Sequence, residues 1–242
     1  MKYKGEEKKF DASLISVYRI FLIFIVPIIA YSIAIFPQVL LIFYVLKLPF
    51  IKSIYGIFIL SFALVNSYLI LIFSSIFSTA FFINVLGIKY KEGEYSKNIK
   101  DKNTFKYTLY FSLYYPTYKL INIFVLPPIK SFYLSLIGCK IGKNVFLAGE
   151  EWIADPCVTE IGENTMIGGR SLITAHLAED KLIIKRVKIG KNCLIGGDSF
   201  IMPGVEIEEN VVVGAKTLVT KDKKLKKEKV YAGIPAREIN YE

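Results

Sequence analysis

The stretch IGKNCLIGGDSFIMPGVEIEENVVVGAKTLVTKD, residues 189–222, carries an aliphatic residue at every sixth position. These residues are Ile189, Ile195, Ile201, Ile207, Val213 and Val219. A period of six fits neither the 3.6-residue turn of an α-helix nor the two-residue alternation of a strand. It is typical of a β-solenoid, in which short strands meet at corners and the aliphatic side chains fill the core.

The same period occurs upstream, and the next residue along is usually small. The upstream aliphatic residues are Ile141, Leu147, Ile153, Ile161, Ile167 and Ile173. Three hexads make one triangular coil of about 18 residues, and parallel strand ladders stack such coils about 4.8 Å apart. We therefore expect residues 138–222 to form a β-solenoid domain, followed by a C-terminal extension at 223–242.

One long interruption breaks this frame, because Ile173 and Ile189 are not separated by a multiple of six. The interrupting stretch, SLITAHLAEDKLIIKRVKIG at 171–190, contains His176, the only histidine of the chain. Irregular loops on rigid scaffolds often carry function. A lone loop histidine is also commonly an ordinary polar surface residue, so the residues alone leave both interpretations open.

Residues 189–222, together with YAGIPAREI at 231–239, resemble the hexapeptide-repeat acyltransferases, such as galactoside, serine and xenobiotic acetyltransferases. The resemblance implies a left-handed parallel β-helix, a homotrimer with active sites between subunits, and acetyl-CoA or another acyl-CoA as donor. It also implies direct attack of the acceptor on the thioester, without a covalent enzyme intermediate.

A second resemblance rests on YLSLIGCKIG at 133–142 and AHLAED at 175–180. These stretches are similar to the membrane-bound terminal domains of certain non-ribosomal peptide synthetases, including poly-lysine synthetase. Those domains carry a Thr-His-Leu-x-Glu-like motif, whereas this chain has Ala175 at the threonine position and only one such unit. The chemistry that this resemblance implies is amide-bond formation between thioester-bound amino acids.

In the resembling families a loop histidine takes the proton from the acceptor, which implies that His176 is the general base. An imidazole with a reference pKa of about 6.5 suits that task near neutral pH. Glu179 or Asp180 is expected to fix its tautomer, with Glu160 as another candidate. For Glu179, a solvated surface carboxylate is the alternative.

The resemblance places the donor along the last coils. Backbone groups around Gly196, Gly214 and Ala215 would hold the pantetheine amides, and Lys221 and Arg237 would approach the phosphates. The glycines serve coil corners equally well, so a purely structural role stays open for them.

Three other features have candidate roles. Trp152 and Asp155 interrupt the first coil near where an acceptor would lie. The run TKDKKLKKEKV, 220–230, is either a solvated loop or a stretch that attracts anionic lipid or cofactor phosphate.

We expect no metal. Three cysteines without a C-x-x-C pair predict neither a disulfide framework nor a zinc site. A γ-type carbonic anhydrase shares the solenoid but needs three histidine ligands, which a trimer would have to supply as three copies of His176.

The N-terminal part of the chain predicts a membrane anchor. Only Arg19 is charged between Ala12 and Val45, and no residue is charged between Ser53 and Ile88. Each run exceeds the roughly 20 apolar residues that a spanning helix needs. We therefore predict two transmembrane helices within residues 1–88, joined by a turn at KLPFIK; two buried core helices of a soluble protein are the alternative.

Residues 89–137 are rich in aromatic residues and are interrupted by Pro116, Pro127 and Pro128, which predicts short amphipathic helices on the membrane surface. Lysines flank both spans on the same side and set the orientation by the positive-inside rule. They are Lys2, Lys4, Lys8 and Lys9 before the first span, and Lys89, Lys91, Lys97, Lys100, Lys102 and Lys106 after the second. The protein is thus expected in the cell membrane, with its catalytic domain in the cytoplasm.

The formal net charge of +10 comes without a nucleic-acid motif, so a lipid surface and phosphates are the expected anionic partners. The leading hypothesis is a membrane-anchored acyltransferase that acts on a hydroxyl or amine at the cytosolic membrane face. The alternatives are the amide-forming condensation and a non-catalytic trimeric membrane scaffold.

Overall fold

Two long helices form an antiparallel hairpin at the start of the computed structural model, which describes residues 14–123 and 127–239. They are α1 (Leu14–Leu46) and α2 (Ile54–Val85), each long and apolar enough to cross a membrane, with mean hydropathies of 2.6 and 2.3. Only 17% of each apolar window is buried within the chain, so most of the apolar surface of these helices faces outward. The tail lysines Lys2, Lys4, Lys8 and Lys9, and residues 240–242, lie outside the described residues.

Two more helices, α3 (Lys102–Ile123) and α4 (Pro127–Leu136), connect the hairpin to the solenoid. The prediction that Pro116 breaks this region is wrong, because Pro116 lies inside α3. The Tyr31 hydroxyl of α1 reaches into the α3 hydrogen-bond ladder there, donating to the Leu113 carbonyl at 2.7 Å and accepting from the Thr117 amide at 3.1 Å. A side chain from a neighbouring helix thus satisfies backbone groups around the proline.

Buried tyrosines one helical turn apart anchor α3 to the solenoid. The Tyr114 hydroxyl donates to the Ile153 carbonyl at 2.5 Å, and the Tyr118 hydroxyl to the Glu151 carbonyl at 3.0 Å. Both rings are fully buried. The helix α3 is therefore packed between the hairpin and the solenoid.

The solenoid has three faces of parallel strands. The charged face contains β2 (Lys140–Ile141), β5 (Thr159–Ile161), β10 (Val187–Ile189), β13 (Glu206–Ile207) and β16 (Lys224–Leu225). The apolar face contains β3 (Phe146–Leu147), β6 (Met166–Ile167), β11 (Leu194–Ile195), β14 (Val212–Val213) and β17 (Val230–Ala232), with β18 (Arg237–Ile239) added antiparallel at its end. The site face contains β4 (Trp152–Ile153), β7 (Leu172–Ile173), β12 (Phe200–Ile201) and β15 (Leu218–Val219).

The strand pairing confirms the predicted solenoid, and its left-handed sense stays a prediction. The hexad residues are buried in its core, apart from Ile141, which is partly exposed. The predicted boundary at residue 222 is wrong: Leu225 and Tyr231 continue the six-residue spacing and are buried in β16 and β17. Part of the lysine-rich run is therefore another coil, because the buried Leu225 lies within it.

Asparagines mark one corner of the stack. Asn144, Asn164, Asn192 and Asn210 adopt left-handed backbone conformations, with φ between 54° and 56°. Asparagine tolerates this conformation better than most residues. Their side-chain amides hydrogen-bond from coil to coil at 3.1–3.2 Å, so the corner is held by a continuous ladder.

Two insertions depart from the 18-residue coil. The first is a short 3-10 helix, Pro156–Val158, directly after Asp155. The second is a hairpin of β8 (His176–Ala178) and β9 (Leu182–Ile184), which leaves the solenoid and pairs with β1 (Gly93–Tyr95) from the segment after α2. The predicted excursion around His176 is therefore present as an ordered three-stranded sheet.

A buried ion pair joins α4 to the first coil. The Lys130 ammonium contacts a Glu151 carboxylate oxygen at 2.8 Å and the Gly149 carbonyl, and both charged side chains are fully buried. The second Glu151 oxygen accepts from the Gly149 amide at 2.7 Å. Burial raises the pKa of Glu151, and the adjacent ammonium opposes that rise.

We predict that Lys130→Met lowers the free energy of unfolding by about 3–5 kcal/mol, because Glu151 is left as an unpaired buried acid. The double variant Lys130→Met/Glu151→Gln should recover part of that loss. Unfolding of the detergent-solubilised protein measures both. Equal stability of the wild type and the single variant would contradict the buried pair.

Candidate functional site

The side chain of Asp155 is the centre of the site. It lies at the first insertion, is fully buried, and accepts four hydrogen bonds. One oxygen accepts from the Tyr90 hydroxyl at 2.7 Å. The other accepts from the Ala175 amide at 2.7 Å, from the Thr174 hydroxyl at 3.2 Å and from His176 Nδ1 at 2.8 Å.

The imidazole of His176 is held by this carboxylate. Since Asp155 accepts from Nδ1, the neutral ring carries its proton there and leaves the Nε2 lone pair to take a proton. The ring also packs edge-on against Tyr107 of α3, with centroids 5.2 Å apart. Burial lowers the pKa of His176, but the hydrogen bond and negative charge of Asp155 outweigh it, so the pKa lies above 6.5.

A cleft of about 260 Å³ opens beside the imidazole on the site face. Its lining is mainly apolar and includes Trp152, Leu172, Leu177 and Phe200, with His176 at one end. The cleft can therefore hold an apolar or amide-bearing chain next to the partly exposed imidazole of His176.

The carboxylate partners that the sequence suggested are placed elsewhere. Glu179 lies beyond β8 near the hairpin turn and faces Lys221 at 3.4 Å. Asp180 is exposed beside it, and Glu160 pairs with Lys140 and Arg186 on the charged face, both at 2.8 Å. The prediction that one of these three holds the imidazole is corrected by the structure, in which Asp155 does so.

The predicted donor residues are only partly brought together. A side chain at Gly196 would come within 2.4 Å of the Ala215 backbone, and one at Gly214 within 3.0 Å of the Ala232 side chain. Coil stacking therefore accounts for Gly196 without any ligand. Lys221 is linked to the histidine hairpin through Glu179, whereas Arg237 lies in β18, on the sheet of the apolar face.

Sequence reasoning missed the roles of Asp155, Tyr90 and Tyr107. For Asp155 a signal existed, since Ile153 and Ile161 are not one hexad apart and the aspartate lies in that gap. Tyr90 and Tyr107 come from the membrane-proximal segment, and no periodicity in the solenoid points to them. Among residues 14–123 and 127–239 there is no cluster of three His, Cys, Asp or Glu that could hold a metal.

Comparison with known proteins places the repeat among transferases. A family model described as the hexapeptide repeat of succinyl-transferase matches residues 186–221. The galactoside O-acetyltransferase of Escherichia coli K12 is 34% identical over 126 residues, which are 49% of this chain and 60% of that protein. The putative acetyltransferase YvoF of Bacillus subtilis is 38% identical over 96 residues, 37% of this chain and 54% of that protein.

A much larger protein is also similar. The delta-poly-L-ornithine synthetase of Acinetobacter baumannii is 28% identical over 130 residues, 53% of this chain and 10% of the synthetase. Among solved structures, galactoside acetyltransferase in complex with coenzyme A has a TM-score of 0.41 at 21% identity, over 52% of this chain and 77% of that one. The chain thus spans less than two thirds of the length of each of these three curated relatives.

We predict that Asp155→Asn lowers the pKa of His176, because burial persists while the negative charge is lost. The sole histidine gives a single imidazole signal, so an NMR titration of the full-length protein measures this without assignment. The imidazole of the variant should therefore stay neutral at a lower pH than that of the wild type. Glu179→Gln is the matched control; a larger pKa change in Glu179→Gln than in Asp155→Asn would contradict the geometry.

Proposed function

We propose that this chain, whose solenoid carries a transferase hexapeptide repeat, is a membrane-anchored acyltransferase that moves an acyl group from a CoA thioester to a hydroxyl or amine. The observation that carries the proposal is His176, which lies at the end of an apolar cleft with Nδ1 fixed by the buried Asp155. Relatives named as acetyltransferases support acetyl as the acyl group.

The proposed reaction needs one base and no covalent enzyme intermediate. The acceptor O–H or N–H donates to His176 Nε2, which takes the proton as the oxygen or nitrogen attacks the thioester carbonyl. The tetrahedral intermediate collapses, its C–S bond breaks, and the imidazolium returns the proton to the departing thiolate. The negative charge of Asp155 stabilises the imidazolium and keeps the ring oriented.

The donor is proposed to lie along the site face. The apolar cleft offers Leu172, Leu177 and Phe200 to a pantetheine arm, next to the base. Lys221 adjoins the histidine hairpin through its pair with Glu179 and remains the proposed contact for a donor phosphate. Arg237, Gly214 and Ala215 stay proposals on resemblance alone, and no metal is part of the mechanism.

A homotrimer is supported by the apolar face. Its outward residues Phe146, Met166 and Leu194 follow one another in strand register and are more than 40% exposed. On the charged face, Lys140, Glu160, Lys188, Glu206 and Lys224 alternate in sign at the equivalent positions. A second copy of the chain would cover the apolar column and leave the charged face in water.

The membrane location is supported by the hairpin. Large apolar side chains point away from the rest of the chain along α1 and α2, including Phe24, Phe58 and Phe81, each more than half exposed. Exposed apolar surface of this extent needs an apolar environment. The lysine bias of the sequence supports a cytoplasmic solenoid, as proposed from the positive-inside rule.

A second candidate function has a specific observation in its favour. The similarity to delta-poly-L-ornithine synthetase supports amide formation between thioester-bound amino acids, in which the same imidazole would deprotonate an amine. A non-catalytic membrane scaffold would use the same trimer surface but would not need the Asp155–His176 pair.

We predict that His176→Ala lowers transfer from acetyl-CoA by about 10²- to 10⁴-fold, because the general base is lost. Release of CoA thiol with an added acceptor measures turnover, and sizing in detergent checks the oligomer. Glu179→Gln is the control and should keep most activity. Turnover from an aminoacyl thioester and none from acetyl-CoA would favour the condensation, and full activity of His176→Ala would exclude this mechanism.

We predict that Leu194→Glu dissociates the trimer, because it places a charge in the apolar column. Lys188→Gln, on the charged face, is the matched control and should leave the oligomer unchanged. Light scattering of the detergent-solubilised protein measures both. A wild-type monomer would remove the basis for an intersubunit site.

A further inference from the structure

A second cleft continues from the histidine cleft along the site face. It has a volume of about 550 Å³ and shares Trp152 and Leu172 with the first cleft, so the two clefts adjoin each other at these side chains. Its other end is formed by Lys119, Asn122 and Ile123 near the end of α3. We call the combined feature the α3 groove. Arg170 and His176 are about six residue steps apart, and an extended chain of that length spans at most about 20 Å.

One wall of the α3 groove is aromatic. The Trp152 ring lies 5.5 Å from the Tyr115 ring and 6.4 Å from the Phe111 ring, both on α3. The Lys119 ammonium lies 6.0 Å from the centroid of the same indole. The partly exposed indole thus forms a flat platform between His176 and the polar end of the groove.

The polar end offers both donors and acceptors of hydrogen bonds. Asn122 Oδ1 is buried and accepts no hydrogen bond from a described residue. Arg170 uses Nε and Nη2 on Asp198, which leaves Nη1, and the exposed Glu150 lines the same end. Lys119 makes no ion pair with the described residues. A buried amide oxygen without a donor is costly unless a ligand supplies one.

This lining fits a ligand rich in hydroxyl groups. The positive charges of Lys119 and Arg170 are balanced by Glu150 and Asp198, so the groove has no excess of charge for a polyanion. Hydroxyls both donate and accept, which matches the mixture of amide, guanidinium and carboxylate. A sugar ring can place its C–H face on the Trp152 indole and its hydroxyls towards these groups.

The far end of the groove adjoins the hairpin. The Tyr68 hydroxyl of α2 donates to the Leu120 carbonyl at 2.5 Å, one turn before the exposed Ile123. An acceptor held in the bilayer by a lipid tail would therefore enter the groove from this end. Its polar chain would extend past Trp152 towards His176.

We propose that the α3 groove is the acceptor site and that it takes a carbohydrate carried on a membrane lipid. The inference rests on the proposed acyl transfer and adds the chemical class of the acceptor: a sugar hydroxyl that reaches His176 while the sugar chain lies on Trp152. The acyl ester then forms on that hydroxyl, and the CoA thiol leaves.

Trp152 is the only tryptophan of the chain, so its fluorescence reports binding in the groove directly. The full-length protein in bicelles is titrated with octyl glycosides of glucose, galactose, mannose and N-acetylglucosamine. Octanol and a tetralysine peptide are the comparison probes. We expect saturable binding of at least one glycoside, weakened about tenfold or more in Asn122→Leu and Glu150→Gln and unchanged in Lys188→Gln.

Three outcomes would overturn the acceptor site: no response to any glycoside, equal affinity in both groove variants, or saturation by the peptide alone. Hydrolysis of acetyl-CoA without acceptor, measured on the same samples, separates the two proposals. Glycoside binding without any thioester turnover would remove the acyltransferase and keep a glycolipid site. Thioester turnover without glycoside binding would keep the acyltransferase and remove the acceptor class.

Discussion

The buried carboxylate of Asp155 is the constraint on which the rest of the site depends. A carboxylate without solvent is expensive unless hydrogen-bond donors surround it. Here the donors come from two separate parts of the chain: Tyr90 after the hairpin, and the consecutive residues Thr174, Ala175 and His176. Satisfying one buried charge thereby fixes the position of the histidine relative to both the solenoid and the membrane-proximal segment.

The packing of α3 extends this coupling to the whole protein. Tyrosines of α3 bond to the backbone of the first coil, while Tyr31 of α1 bonds to the backbone of α3. The same helix presents Tyr107 to the imidazole and Tyr115 to Trp152. The helical segments are thus part of the site walls, and their role goes beyond attaching a solenoid to a membrane.

The solenoid could be predicted from the sequence because a six-residue aliphatic period has few structural explanations, and the histidine because it interrupts that period. The carboxylate partner could not be predicted by proximity along the chain. Glu179 is three residues from His176 but is carried away by a β-hairpin, whereas Asp155 lies one coil below and is adjacent in space. The prediction that Pro116 interrupts the helical region was wrong for a similar reason. A hydroxyl group from another helix compensates for the disrupted hydrogen-bond ladder around the proline.

The structure of the full-length protein in nanodiscs with CoA bound tests the proposed mechanism most directly. We predict that the CoA sulfur lies on the site face within about 4 Å of His176 Nε2, a distance at which thioester and base can share an acceptor. The Asp155 carboxylate should remain on Nδ1. CoA bound on the charged face, or a thiol distant from the imidazole, would contradict the assignment of His176 as the general base.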